Sequence, residues 1–214
     1  MTEPPTGAAV YRHLLERLDA WHAEGRRRHP GIVPCGAGCS ACCLGPFDIS
    51  VADVELLREA LDKMTQEERT EVERRAERLL RAMEDEAPDW TAPHAIADLG
   101  DERFDRLAEW LAREPCPLLA DDGRCRIYPD RPLVCRLIGL PMTSPAGRAI
   151  ENTCPIQERF PAYAALPAVP FDLEEFELTE MECLQAAARR LSVDSSRSDF
   201  ETTIAAAVVD ARRP

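Results

Sequence analysis

The sequence has few aromatic residues and no long apolar run. Phe, Trp and Tyr make up 6% of its 214 residues, whereas hydrophobic residues of all kinds make up 45%, with Leu and Ala prominent among them. This composition supplies enough apolar surface for a buried core and favours helices. The longest apolar run near the C-terminus, residues 204–209, is far shorter than a membrane-spanning helix, so we expect no transmembrane segment.

Basic residues are scarce relative to acidic ones. The chain has 26 Lys and Arg against 39 Asp and Glu, which gives a formal net charge of −13 at pH 7. Such a charge repels nucleic acid phosphates and anionic lipids, so we expect neither nucleic acid nor membrane as a partner. Residues 1–9 also lack the basic start and apolar stretch of a secretory signal, and we expect a cytoplasmic protein.

Two common catalytic patterns are absent from the sequence. No Gly-x-Gly-x-x-Gly follows a predicted strand, which argues against a Rossmann cofactor site. No Ser/His/Asp or Cys/His nucleophile set stands out either. The residues alone therefore leave open whether the protein is an enzyme.

Cysteine, in contrast, is abundant and clustered. Four of the nine cysteines lie within residues 35–43, and four more lie between residues 116 and 154. In a reducing compartment this pattern indicates metal or redox chemistry, and an odd count leaves any full disulfide pairing with a remainder. The candidate metal ligands are Cys35, Cys39, Cys42, Cys43, Cys116, Cys125, Cys135 and Cys154.

Several thiolates around one site select zinc or an iron–sulfur cluster over hard cations. Eight ligands suffice for two four-thiolate sites or for one site with thiols to spare, and the sequence does not decide between them. Structural zinc sites usually pair two Cys-x-x-Cys knuckles, whereas here only Cys39 and Cys42 have that close spacing before the widely spaced downstream cysteines. This favours an iron–sulfur cluster, first of all 4Fe-4S, with zinc as the alternative. The ninth cysteine, Cys183, lies on an amphipathic segment and is predicted to be a small buried hydrophobic residue.

Arginines are interspersed among the downstream cysteines of this acidic chain. We predict that their charge offsets that of a thiolate-bound cluster. A small anionic ligand or a substrate carboxylate is the competing interpretation. These residues are Arg124, Arg126, Arg131 and Arg136.

Apolar spacing and helix caps predict a mainly α fold, with a cysteine-rich core of loops and a short β-hairpin. We expect a single domain over 1–214, made of a metal-binding core at 31–155, an N-terminal helix within 1–30 and a C-terminal helical extension at 156–214. Helices are predicted over Ala9–Arg28, from Thr65 to about Glu86 and over Asp101–Glu114. One helix is predicted to follow a cap formed by Ser50 and Asp53, and a short helix after Pro132 is predicted to carry Cys135. Two more helices are predicted to begin at caps in Thr179–Glu182 and Ser198–Glu201.

Turn and histidine positions add detail to this core. Asp121-Asp-Gly123 is predicted to be the turn of the hairpin. His94 is an additional candidate ligand because it lies in a loop near the second cysteine group. The other histidines, which lie on or just after the first helix, are predicted to be solvated or capping residues: His13, His22 and His29.

Three segments resemble the YkgJ-type cysteine-cluster family, described as a zinc- or iron-chelating domain. They are Cys35-x3-Cys39-x2-Cys42-Cys43, Cys116-Pro-Leu-Leu, and Gly-Arg-Cys125-Arg-Ile-Tyr128-x-x-Arg131-Pro132-x-x-Cys135-Arg136. The pattern is also similar to that of flagellin lysine-N-methylases, which are thought to carry an iron–sulfur cluster. The resemblance covers residues 31–155. It implies that the cysteines of these segments are ligands, with Cys154 as the eighth, and that Tyr128, Arg131 and Arg136 belong to the cofactor site.

These observations predict a metal-binding protein whose centre is structural, redox or regulatory. One alternative is a cluster-dependent enzyme, such as an S-adenosylmethionine-using methyltransferase, because Cys35-x3-Cys39-x2-Cys42 is the spacing of radical S-adenosylmethionine enzymes. Against this, Ala41 stands where those enzymes usually carry an aromatic residue, and the chain lacks the strand–helix alternation of a barrel. The other alternative is a zinc-stabilised adaptor whose acidic helices bind a partner protein.

Overall fold

The computed structural model describes residues 7–150, 152, 154–191 and 199–211, and the described chain is mainly helical. Its helices are α1 (Gly7–Arg28), α2 (Val51–Asp62), α3 (Gln66–Glu86), α4 (Ile96–Leu99), α5 (Asp101–Trp110), α6 (Leu133–Leu137), α7 (Pro161–Ala164), α8 (Leu173–Arg190) and α9 (Ile204–Asp210). Its strands are β1 (Asp48–Ser50), β2 (Met142–Thr143), β3 (Ala149–Ile150), β4 (Val169–Pro170) and β5 (Glu201–Thr203). The predicted mainly α class is confirmed.

Reciprocal capping bonds explain where α2 and α3 begin. The Ser50 hydroxyl accepts the Asp53 backbone N–H, and the Asp53 carboxylate accepts the Ser50 backbone N–H. Thr65 and Glu68 form the same pair at the start of α3. Each pair satisfies two backbone donors that the first helical turn leaves free. Both helix starts agree with the sequence prediction.

The C-terminal helices begin elsewhere than predicted. Helix α8 starts at Leu173, where the Asp172 carboxylate accepts the Glu175 N–H, so Thr179 is not its cap. Helix α9 starts after Thr203, whose hydroxyl accepts the Ala206 N–H, because the preceding residues pair as β5 with β1. The proposed cap Ser198 lies outside the described residues. Long-range strand pairing thus overrides the local capping signal.

Two further elements are shorter than predicted. Helix α5 ends at Trp110 instead of Glu114, and residues 111–113 form a turn ahead of Pro115. The hairpin around Gly123 reduces to a tight turn with one bridge between Leu119 and Cys125. Gly123 has a φ of +80°, which favours glycine in this turn.

Two adjacent hydrophobic cores hold the helices together. The first core contains the packing of α3 against α9, and the second contains the packing of α1 against α8. Helix α2 contributes to both, because Leu57 and Leu61 face the first core while Val51 and Leu56 face the second. The cysteine loops run along both cores.

Two small sheets complete the described structure. Strands β1 and β5 pair antiparallel, with Ile49 opposite Thr202. Strand β2 lies between β3, to which it is antiparallel, and β4, to which it is parallel. Among the described residues, none of the helices combines the length and apolarity needed to span a bilayer.

Candidate metal centre

Seven thiols line one cavity of about 280 Å³. Four belong to the loop between α1 and β1, and three belong to the segment between α5 and the end of α6. The fold therefore brings together two cysteine groups that are remote in sequence. The lining thiols are those of Cys35, Cys39, Cys42, Cys43, Cys116, Cys125 and Cys135.

Backbone hydrogen bonds join the two cysteine segments directly. The Cys116 N–H donates to the Cys43 carbonyl at 3.0 Å, and the Gly45 N–H donates to the Glu114 carbonyl at 2.6 Å. Farther along, the Arg126 N–H donates to the Leu118 carbonyl at 2.9 Å, which places Cys125 on the arm opposite Cys116. The relative placement of these three cysteines is fixed by main-chain contacts.

Asp53 holds the short helix that carries Cys135. Its carboxylate accepts the Leu133 N–H at 3.0 Å at the start of α6, and the hydroxyl of Tyr11 on α1 at 3.0 Å. It also accepts from Ser50 as part of the α2 cap. Asp53 is 3% exposed, so these bonds compensate for its burial. One carboxylate therefore connects α1, α2 and α6.

Arg131 and Arg136 line the cavity and share one acidic partner. Both guanidinium groups donate to the Asp19 carboxylate, and Arg136 also donates to the Arg131 and Pro129 carbonyls. Arg131 lies 4.2 Å from the centroid of the Tyr128 ring, which is a cation–π contact. Since two cations share one carboxylate, this wall keeps a net positive charge.

The two remaining arginines of the predicted set do not belong to the cavity wall. Arg124 is exposed, and Arg126 points towards Glu68, with 3.9 Å between guanidinium and carboxylate. Of the four arginines whose charge was predicted to offset that of a cluster, only Arg131 and Arg136 line the cavity.

Helix α1 contributes a polar stripe to the cavity that the sequence prediction missed. Asp19, His22 and Arg26 lie at helical spacing on one face and line the cavity. The Nε2 atom of His22 is buried, with no hydrogen-bond partner among the described residues. Burial lowers the pKa of His22, and Arg26 and Arg131 lower it further. The interpretation of His22 as a solvated or capping residue is wrong. The i, i+3, i+7 spacing of these polar residues is the signal that could have identified them.

His94 and Cys183 lie away from the cavity. His94 is 1% exposed, with its Nε2 atom 3.0 Å from a Glu84 carboxylate oxygen and its ring against Trp90. Cys183 is 3% exposed within the second core, which confirms its prediction as a buried hydrophobic residue. Cys154 does not line the cavity either. It is 3% exposed and belongs to the second core.

Burial keeps most of the cavity thiols protonated when no metal is bound. It raises the pKa of Cys35 to about 11 and that of Cys116 to about 12, and it raises the pKa of Cys135 well above its ordinary value. Cys42 differs, because a hydrogen bond from the Cys43 thiol lowers its pKa to about 7. A soft cation therefore has to displace protons from most of these ligands.

The donor set fits a thiolate-bound metal centre. All nine cysteines are free thiols, and thiolates are the ligands of zinc and of iron–sulfur clusters. No three His, Cys, Asp or Glu side chains of the described residues are grouped around a single ion position. The thiols instead surround a cavity whose wall carries Arg26, Arg131 and Arg136.

Comparison with known proteins agrees with this chemistry. Residues 34–155 match the model of the CxxCxxCC family, whose description is "Putative zinc- or iron-chelating domain". The matched range contains all eight candidate ligands together with Tyr128, Arg131 and Arg136, whereas Asp19, His22 and Arg26 on α1 precede it. No curated protein and no solved structure matches the chain.

Proposed function

The chain belongs to the CxxCxxCC family of zinc- or iron-chelating domains, and we propose that it is a redox protein whose cysteine thiolates hold a 4Fe-4S cluster. The observation that carries this proposal is the convergence of seven thiols, from two remote segments, on one cavity of about 280 Å³. When bound, the cluster supplies a one-electron redox centre. The protein's own residues bind it, surround it and set its electrostatic environment.

The size of the cavity favours a cluster over a single zinc ion. Zinc binds thiolate sulfur at about 2.3 Å, so four sulfurs around it nearly touch and leave no internal space. The cavity of about 280 Å³ is larger than the space that one ion occupies, and it leaves room for a polynuclear centre.

The charge of the cavity wall also favours a thiolate-bound cluster. Thiolates bring negative charge into a chain whose net charge is already −13. Arg131, Arg136 and their shared partner Asp19 together carry one net positive charge, and Arg26 adds a second positive charge to the lining. In a partly enclosed site these charges are weakly screened and offset the thiolates.

Apolar side chains form part of the cavity lining. Leu118 and Ile204 are buried, and Phe47 and Ile138 are half-buried beside them in the lining. Solvent access and nearby cations are two of the factors that set the reduction potential of a cluster. This environment supports a redox role.

Anaerobic purification followed by elemental analysis and Mössbauer spectroscopy tests the proposal. We expect a brown protein with iron and acid-labile sulfide in equal amounts and broad visible absorbance. The variant Cys183→Ser is the matched control, because this thiol lies in the second core away from the cavity, and it should keep the same iron content. A colourless wild-type protein with stoichiometric zinc, and no iron after anaerobic reconstitution, would overturn the proposal.

A second candidate is a cluster-dependent enzyme that binds a small anionic cosubstrate, such as S-adenosylmethionine through its carboxylate. It is favoured by the buried Nε2 of His22, which has no hydrogen-bond partner in the described part of the chain, and by Arg26 beside it. Equilibrium dialysis of the cluster-loaded protein with S-adenosylmethionine tests this candidate. Binding that Arg26→Gln weakens supports it, and lack of binding by the wild-type protein removes it.

A further inference from the structure

We infer that His22 of α1 donates a hydrogen bond from its Nε2 atom to the Cys35 thiolate in the metal-loaded protein. The inference rests on the proposed function, because it requires Cys35 to be a deprotonated ligand. His22 acts through Cys35 and is a positioning residue, not a metal ligand. It lies ahead of the family-matched segment 34–155, so the family description does not assign it a role.

Helix α1 is held in place on both sides of His22. A Cβ on Gly25 would overlap the side chain of Leu140, which is 0% exposed in the second core, so the glycine allows the helix to approach this segment closely. Farther towards the helix start, the Asp19 carboxylate accepts hydrogen bonds from two arginines of the cavity wall. The position of the intervening His22 against the cavity is therefore determined by packing on either side.

The His22 Nε2 atom and the Cys35 Sγ atom face the same glycine, Gly139. A Cβ on Gly139 would lie 2.6 Å from the Cys35 Sγ and 3.5 Å from the His22 Nε2. Because both distances are measured to one point, the thiol and the imidazole nitrogen are neighbours in the cavity lining, to which both residues belong.

The Nε2 atom of His22 has unused hydrogen-bonding capacity. It is buried, and it has no hydrogen-bond partner in the part of the chain that the structure describes. Buried polar atoms in folded proteins nearly always have a partner, so an unpaired one calls for an explanation. A partner that changes its hydrogen-bonding character when the protein binds metal provides that explanation.

Cys35 is such a partner. As a free thiol it donates to the Ile138 carbonyl at 3.9 Å. Metal binding releases the thiol proton to solvent, and the resulting thiolate can only accept hydrogen bonds. The Ile138 carbonyl is also only an acceptor, so this contact cannot persist. The imidazole of His22 then offers an N–H on the neighbouring side of the sulfur.

The other donor that α1 brings to this loop is less suited to the role. Arg26 is exposed, and its guanidinium lies against Gly36, where a Cβ would be 2.6 Å from Nη1. Hydrogen bonds to ligand sulfur are among the factors that set the reduction potential of a cluster. A hydrogen bond to Cys35 favours the reduced state, because reduction adds negative charge to the centre.

The variants His22→Phe and His22→Gln test the inference in the full-length protein, purified anaerobically. Phenylalanine removes the donor, whereas glutamine retains an N–H. We expect His22→Phe to shift the reduction potential to a more negative value and His22→Gln to restore most of that shift. His13→Phe is the matched control, because His13 is exposed on the same helix, and its potential should equal that of the wild-type protein. An equal shift in both His22 variants would overturn the inference, since the N–H would then be irrelevant.

Electron–nuclear double resonance on the reduced wild-type protein detects the bond directly and does not depend on the folding of a variant. With ¹⁵N-labelled histidine we expect a weak hyperfine coupling to one imidazole nitrogen, together with an exchangeable proton. A strong coupling of the kind that an iron–nitrogen bond gives would show that His22 is a ligand and would overturn the inference. Absence of any imidazole coupling would overturn it as well.

Failure of this inference is distinguishable from failure of the proposed function. Iron and sulfide in the wild-type protein without an imidazole coupling would overturn the inference alone. If the wild-type protein contains only zinc, the cluster proposal fails, and NMR of the protein with ¹⁵N-labelled histidine decides the inference. A His22 Nε2–H that exchanges slowly with solvent supports the hydrogen bond, and fast exchange overturns it. A wild-type protein that binds no metal would overturn both.

Discussion

Asp53 caps helix α2 and also binds residues that are distant in the sequence. The Ser50/Asp53 capping box is local in sequence and was predictable from it. The bonds from Tyr11 and Leu133 join residues 42 and 80 positions away, and nothing in the local sequence indicates them. The same carboxylate therefore contributes to local structure, to packing of α1 and to the placement of Cys135.

The substitution Asp53→Asn should destabilise the metal-free protein. The amide keeps the shape of the side chain but cannot accept every bond, and an unsatisfied buried donor costs about 1–3 kcal/mol. Urea unfolding measures the loss in the free energy of unfolding. The exposed Asp105→Asn on α5 is the control and should have little effect. Equal stability of the two variants would contradict the assigned role of Asp53.

Gly139 should be required for the placement of Cys35. It has a φ of +110°, and a Cβ at this position would lie 2.6 Å from the Cys35 Sγ. We expect Gly139→Ala to lower the metal content of the purified protein. Gly147→Ala is a matched control, because Gly147 also has a positive φ, +87°, but no atom lies within 4 Å of the added methyl group.

Both glycine substitutions carry the cost of a left-handed backbone, about 1–2 kcal/mol. Only Gly139→Ala adds the contact with Cys35. Metal content is therefore the discriminating measurement, and equal metal content in the two variants would show that Cys35 tolerates the displacement.

Secondary-structure elements were predictable where a local signal determines them. The starts of α2 and α3 follow from caps, and the extent of α1 follows from its apolar spacing. The starts of α8 and α9 were not, because Asp172 caps α8 upstream of Thr179 and because residues 201–203 pair as β5 with β1 before α9 begins. Which helix faces line a cavity depends on neighbours that are distant in sequence.

Helix α8 places a carboxyl group that should make stability depend on pH. Burial raises the pKa of Glu180 to about 7, and Asp53, Glu177 and Glu201 add to the rise. The pKa of a glutamate in the unfolded chain is about 4.3. Because the pKa of Glu180 is higher in the folded protein, its contribution to the free energy of unfolding is fully present below pH ~4.3 and is lost as the pH rises towards 7.

The variant Glu180→Gln should therefore show a weaker decline in melting temperature between pH 5 and pH 7 than the wild-type protein. Thermal unfolding followed by circular dichroism in a pH series measures this slope. The exposed Glu182→Gln on the same helix is the control and should retain the wild-type slope. A wild-type slope in Glu180→Gln would show that another group causes the dependence.

At the scale of the whole molecule, two apolar cores support a cysteine-rich region between them. The convergence of the two cysteine groups was predictable, since soft-metal ligands at such spacings act together. The side chains beside these thiols were not, because Asp19, His22 and Arg26 reach the cavity through the tertiary packing of α1. Spacing identifies candidate ligands, whereas packing determines which other side chains lie next to them.

Metal removal should lower stability without abolishing the helical fold. Both cores consist of aliphatic and aromatic contacts among α1, α2, α3, α8 and α9, which need no metal. Ligand binding to the folded state alone nevertheless raises the melting temperature. We expect chelated protein to keep its far-ultraviolet circular dichroism and to melt at a lower temperature. Complete loss of helical signal on chelation would contradict this expectation.

Helix α1 supplies Asp19, His22 and Arg26 to the cavity although it precedes the family-matched segment 34–155. Residues 34–155 alone would retain every candidate thiol but lack these three side chains and Ile204 of α9, so the cavity would have an open side. Molecular oxygen and small reductants would reach the sulfurs through that opening. We therefore expect an excised 34–155 fragment to be more sensitive to air than the intact chain.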